Sequence, residues 1–197
     1  MTRTRYIAQA GVIAAVYAAL TIVVVQSFSL LAWGPIQFRI SEAMTVLAVI
    51  TPAAVPGLAI GSVVANAVGA ASTGVFGLLD VVFGSLGTLA GAAWSWHFRR
   101  STAFALLGPV VANALIVPAY LPILLQGAGI GLGQYRFLGV DASHAYLAMY
   151  AFGVVTVGIG EAVVVYGLGL PLLAALRRLA LPWLTGPAAE DRGSHDD

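Results

Sequence analysis

The chain has 197 residues, 60% of them hydrophobic and 9% charged, with a mean hydropathy of +0.95 and a net charge of +1. A soluble domain carries about 25% charged residues, so this composition excludes an ordinary water-soluble globule and describes a surface made for lipid. The absence of cysteine excludes disulfides, thiol chemistry and thiolate metal sites, and the near-zero charge gives no sign of a nucleic-acid or acidic partner.

The chain begins MTRTRYIAQAG and stays apolar to Leu31. A cleavable signal has a core of about 7–15 apolar residues. This run is long enough to cross about 30 Å of hydrocarbon, so residues 6–31 are expected to form a retained first helix. Ala14, Ala15, Ala18 and Ala19 give two overlapping Ala-x-x-x-Ala pairs on adjacent faces. Small residues four apart let a second helix approach closely in lipid. The spacing alone favours packing inside the bundle over a docking face for a partner.

Residues 31–40 form the first loop, with Trp33 suited to the membrane interface and Gly34-Pro35 breaking the helix. If residues 36–40 are extended, Gln37 and Arg39 point one way and Phe38 the other. Ser41 then fits a helix N-cap, with Glu42 in the first turn near the positive helix end.

Residues 41–51 and 57–71 are apolar runs, each too short to cross comfortably alone, with Pro52 and Pro56 between them. They form either one kinked span or a hairpin. With a hairpin, Arg3, Arg5, Arg99, Arg100, Arg177, Arg178 and Arg192 share one face, leaving Arg39 and Arg136 on the other. The positive-inside rule favours that arrangement. The expectation is therefore an all-α integral membrane protein of six transmembrane helices in the cell membrane, over residues 1–181, with both termini cytoplasmic and the loop at residues 37–42 outside.

Residues 76–98 are the fourth span, closed by WSWHFRR, which puts Trp94, Trp96 and His97 at the interface before Arg99 and Arg100. Residues 102–126 are the fifth; Pro109, Pro118 and Pro122 predict bends, tolerated where neighbours re-satisfy freed backbone groups. Residues 127–144 form a glycine-rich outer loop. Residues 146–176 are the sixth span, long enough to tilt or project. Residues 182–197 are a polar tail of disordered composition. No internal repeat marks an inverted-repeat transporter.

Ionisable groups in hydrocarbon are costly and face a bundle interior or wet cavity. Here they are Asp80 and Glu161, with Glu42 at the rim and Asn66 and Asn113 as the informative amides. Asp80 shares a helical stripe with Gly84, Gly87 and Gly91, and Asn66 one with Ala59, Ser62 and Gly69. In the six-helix arrangement Glu42, Asn66 and Asp80 lie towards the outer side, and Asn113 and Glu161 nearer the middle. An outward-open site lined by carboxylates and amides follows. Plainer roles exist for each residue: Glu42 as a helix-start charge or partner of Arg39, Asp80 as a helix-end residue, Asn113 as a cap for carbonyls loosened by Pro118, and Glu161 as half of a buried pair. Arg136, Asp141 and His144 fit a solvated loop. No phosphate-binding glycine loop, Ser–His–Asp set, HExxH or paired-carboxylate motif is present, and no cofactor is called for. An intramembrane enzyme is disfavoured because no activated nucleophile is in view.

The segment GPIQFRISEAMTVL at residues 34–47 resembles the signature of the QueT family. The likeness continues in Pro56-Gly-Leu-Ala-Ile-Gly, Ala65-Asn66, Asp80-Val-Val-Phe-Gly-Ser-Leu-Gly-Thr-Leu, Gly160-Glu161 and Leu168-Gly-Leu-Pro-Leu-Leu, over residues 11–176. Ala48 and Gly87 depart conservatively from the pattern. The resemblance implies a substrate-binding (S) component of an energy-coupling factor transporter for queuosine precursors. It implies a loop lid after helix one, and docking of Ala14, Ala15, Ala18 and Ala19 onto a T component driven by two ATPase subunits, which use ATP; this chain has no ATPase motif of its own. The substrate-binding set expected from the first loop and the buried polar groups is Gln37, Arg39, Glu42, Asn66, Asp80, Asn113 and Glu161. A 7-deazaguanine such as preQ1 or preQ0 offers two adjacent donors and a carbonyl, which a carboxylate and an amide can serve, with Phe38, Phe76 or Phe83 for apolar or cation–π contact. An S component for another vitamin-like molecule, or a membrane scaffold without a ligand, are the competing readings.

Overall fold

A computed structural model describes residues 2–27, 39–73, 77–127, 136–137, 140–141 and 146–179. Six helices make the bundle. Helix α1 is Arg3–Ser27, α2 is Ile40–Val49, α3 is Ala54–Thr73, α4 is Gly77–His97 and α5 is Thr102–Gly127. Helix α6 runs through Tyr146–Ala162, Val163–Gly169 and Leu170–Leu179. Five of these are long and apolar enough to cross a membrane; α2, with ten residues, is the shorter apolar sixth. Between α5 and α6, Arg136–Phe137 (β1) and Val140–Asp141 (β2) pair antiparallel, with Arg136 opposite Asp141. The polar tail expected at residues 182–197 lies outside the described residues.

Cross-helix contacts fix the direction of each helix. Helix α2 runs back along α1. Ser41 at its start receives a hydrogen bond from Thr21, and Thr51 just beyond its end donates to Gln9. Helix α3 then returns parallel to α1, with Gly57 against Ala10 and Ile13, and Gly61 against Ala14 and Tyr17. The two apolar runs are therefore a hairpin, with Pro52 in its turn and Pro56 in the first turn of α3, where a missing N–H is harmless. Along α4 and α5, Gly91 meets Pro109, Gly87 meets Asn113 and Gly84 meets Tyr120. Helix α6 descends beside α5, with Gly153 against Pro118, Gly158 against Ala114 and Tyr166 donating to the Ala103 carbonyl. The glycine stripe on α4 is thus a close-packing seam, as its spacing implied.

Arg3 and Arg5, the Arg99–Arg100 turn and Arg177–Arg178 consequently share one end, where Arg177 reaches the Thr102 hydroxyl at 3.4 Å. Arg99 lies 3.9 Å over the Trp96 ring, and Trp94 packs against Phe98 and Phe104 while donating to the Phe104 carbonyl. Large apolar side chains such as Ile7, Val12, Leu115 and Val155 face outward, as they do where the solvent is lipid. The core lies along α2. Met44, Leu47 and Ala48 pack on Ile13, Tyr17 and Leu58, and Val46 and Val49 pack on Ala105, Leu106, Val165 and Leu173.

One local expectation changes. Ser41 is not an N-cap: the flanking position is Arg39, no side chain caps the helix, and Ser41 turns sideways to Thr21. A hydroxyl one residue inside the helix finds a better acceptor role across the bundle than along its own backbone. Helix α5 runs unbroken through its prolines. The carbonyl of Ala105, four residues before Pro109, accepts from Ser95 at 2.9 Å, and those of Leu115 and Ala119 accept from Tyr150 and Tyr146. Ser95 thus re-satisfies the carbonyl freed by Pro109, and the two tyrosines tie down carbonyls three residues before Pro118 and Pro122, which lets the helix continue.

Candidate functional site

Most polar residues of the interior, Gln9, Thr51 and Ser95 aside, gather towards the end of the bundle opposite the arginine-rich turns, in a band running inward. At its rim Asp80 opens a widened (π-type) turn, Asp80–Gly84. Such turns are rare and recur at functional sites, because they rotate side chains out of the ordinary helical register. The Asp80 carboxylate accepts from Arg39 at 2.8 Å and from the Tyr120 hydroxyl at 2.6 Å. Asn66 on α3 donates to the Asp80 carbonyl at 2.9 Å, with Ser62 and Ser85 at 3.3 Å. A side chain at Gly84 would collide with Asp80, Tyr120 and Asn66, so glycine is required for this convergence.

One turn deeper, Glu42 is fully buried. Its Oε1 accepts from Tyr17 on α1 and from Thr88 on α4, the latter at 2.8 Å. Thr88 in turn lies 3.4 Å from Ser62, which connects this layer to Asn66. Over the same turn of α4, Asn113 on α5 donates to Glu161 on α6 at 3.0 Å. Asn113 also touches α4 at Gly87, the residue before Thr88, and the Glu42 and Glu161 carboxyls interact electrostatically. Three buried polar atoms have no hydrogen-bond partner among the described residues: Arg39 Nη1, Glu42 Oε2 and Asn113 Oδ1.

Six of the seven expected site residues are thereby brought into one connected band, and the seventh, Gln37, lies outside the described residues. The plainer roles are partly displaced. Glu42 sits in the first turn of α2, but its carboxylate is tied to side chains of α1 and α4. Arg39 forms its ion pair with Asp80 and not with Glu42. The Asn113 amide goes to Glu161 and not to the carbonyls near Pro118. Of the aromatic candidates, Phe38 and Phe76 lie outside the described residues, and Phe83 is half exposed, 5.8 Å from the Tyr120 ring. No group of three His, Asp or Glu suited to a metal ion occurs among the described residues.

The QueT transporter family model matches residues 7–178. The chain belongs to the QueT transporter family. It is therefore a multi-pass membrane transport protein. Neither the curated proteins nor the solved structures include a match to it.

For this QueT transporter, sequence reasoning missed Tyr17, Thr88 and Tyr120. Each carried a usable signal. Thr88 stands four residues after Gly84, on the polar stripe of α4, and Tyr120 stands two turns after Asn113 on the same face of α5. Tyr17 lies one residue before Ala18, on the α1 face that packs inward. The alanine pairs divide: Ala14 and Ala18 are buried against α3, whereas Ala15 and Ala19 are exposed.

Proposed function

We propose that this chain is the substrate-binding S component of an energy-coupling factor importer. It captures a queuosine precursor, a 7-deazaguanine of the preQ1 or preQ0 type, in the band from Arg39 to Glu161 on the outer side of the cell membrane. The reading is carried by one observation: donor and acceptor atoms of Arg39, Glu42 and Asn113 are buried among helices and have no partner among the described residues. An unsatisfied buried polar atom costs about 1–3 kcal/mol, and such groups in membrane interiors mark substrate paths. A 7-deazaguanine carries donor groups that can serve the open acceptors of Glu42 and Asn113, and a carbonyl for Arg39. Loss of one partner in a buried charge pair with the ligand is expected to weaken binding by about 2–5 kcal/mol.

Energy comes from separate polypeptides, a T component and two ATPase subunits, docking on α1. With Ala14 and Ala18 occupied by α3, the outward pair Ala15 and Ala19 is the docking face. Ala15→Leu and Ala19→Leu are expected to abolish co-purification of the T component; unchanged co-purification removes the docking role.

The binding role is tested by thermal shift or calorimetry on the purified protein, with 7-deazaguanines set against a panel of vitamins. Stabilisation by a deazaguanine alone is the expected result. Stabilisation by a vitamin and by no deazaguanine replaces the substrate and keeps the S-component reading. A scaffold without a ligand predicts that Glu161→Gln and Asp80→Asn leave uptake untouched.

A further inference from the structure

Glu42 and Glu161 are two carboxyls inside a helical bundle, and neither forms an ion pair among the described residues; the nearby Arg39 is paired with Asp80. Glu42 uses Oε1 for both of its hydrogen bonds, and Oε2 is buried with no donor among the described residues. Asn113 directs its only donor group at Glu161, which leaves Oδ1 buried and likewise without a donor. These two acceptors lie over the same turn of α4. Asn113 Oδ1 stands 2.5 Å from where a Cβ on Gly87 would be, and Glu42 Oε1 is 2.8 Å from the hydroxyl of the next residue, Thr88. The third unpartnered atom, Arg39 Nη1, belongs to the rim. The inner cluster therefore presents unused acceptors and two carboxyls with no ion pair of their own among the described residues, Arg39 being bound to Asp80. A buried carboxylate is stable only when paired, and an ammonium, with three donors and no acceptor, is the group that satisfies such a set.

We propose that Glu42, Asn113 and Glu161 form a subsite for a protonated amine, so that the protein selects cationic ligands over neutral analogues of the same shape. This rests on the binding role proposed above and adds the charge of the ligand to it. The carbonyl or other acceptor edge of the ligand then points outward to Arg39.

The test is calorimetric titration of the purified full chain with matched pairs. The first pair is a 7-deazaguanine bearing an aminomethyl group and one bearing a nitrile at the same ring carbon. The expected result is at least about tenfold tighter binding of the amine, as charge-assisted hydrogen bonds are stronger than neutral ones. Glu161→Gln and Glu42→Gln should each shrink that ratio, mainly by weakening the amine. Equal or tighter binding of the nitrile by the wild-type protein overturns the proposal, whether or not the variants fold. A ratio unchanged in both folded variants also overturns it. If no deazaguanine binds, the substrate reading falls by itself, and the second pair, pyridoxamine against pyridoxine, decides the subsite. Preference for pyridoxamine keeps it, and failure of every amine-bearing probe to bind overturns it.

Discussion

At the scale of single residues, hydroxyls hold the charges in place. Tyr17 is almost wholly buried, yet its ring packs with Met44, Leu47 and Leu58 while its hydroxyl reaches Glu42. Tyr120 repeats the arrangement with Asp80. An amphipathic side chain of this kind satisfies an apolar neighbour and a carboxylate at once. Tyr17→Phe removes one of the two donors to a buried carboxyl and should lower stability by about 1–3 kcal/mol, read as a lower melting temperature in detergent with helix content retained. A melting temperature equal to wild type would mean that Thr88 alone holds Glu42. The carboxyls and amides were legible as site candidates because each is expensive in lipid and so needs a reason. The tyrosines and Thr88 were not, because a hydroxyl in an apolar run is equally at home facing a backbone carbonyl, as Tyr150 and Tyr166 are.

At the scale of helices, close approach governs what the residues can reach. Helix α2 is a tight 3₁₀ helix over ten residues, a length uncommon for that winding. It is surrounded by α1, α4, α5 and α6 with every residue from Ser41 to Val49 buried. Glycines on α3 admit α1: a Cβ at Gly61 would lie 2.7 Å from the Ala14 carbonyl oxygen and 2.9 Å from Tyr17 Cβ. Backbone cannot swing aside as a side chain does, so Gly61→Ala should separate the two helices, shift Tyr17 off Glu42 and cost about 1–3 kcal/mol. Gly11 faces open space, and Gly11→Ala should be neutral or stabilising by up to about 1 kcal/mol. Thermal melts of the two variants side by side check the contrast; equal melts would mean that the helices do not meet at Gly61. The prolines of α5 could be read as bends from the sequence. That Ser95 and two tyrosines would keep the helix continuous required knowing which helices lie alongside.

At the scale of the whole molecule, the six arginines at the bundle's described turns and helix ends collect at one end, and the polar band lies towards the other. The positive-inside rule predicts that the arginine end faces the cytoplasm. The chain has no cysteine, so a single introduced thiol reports orientation without background. Ser101→Cys, in the exposed α4–α5 turn, should react with a membrane-impermeant maleimide in inside-out vesicles and not in intact cells. Labelling in intact cells would invert the topology and turn the candidate site towards the cytoplasm.

Composition and hydropathy determined that the chain lives in a membrane and that Glu42, Asn66, Asp80, Asn113 and Glu161 are exceptional, and arginine placement chose six helices with a hairpin; that only one member of the hairpin is short was decided by the structure. Water and lipid impose those conclusions on any chain, since each polar group in hydrocarbon carries a penalty visible residue by residue. Tertiary structure decided the pairings: Arg39 with Asp80, Asn113 with Glu161, Tyr17 and Thr88 with Glu42, and which alanine pair faces inward. Partners across helices depend on rotation and depth, set by glycine contacts and a widened turn at Asp80, and these involve residues tens of positions apart that no local pattern connects.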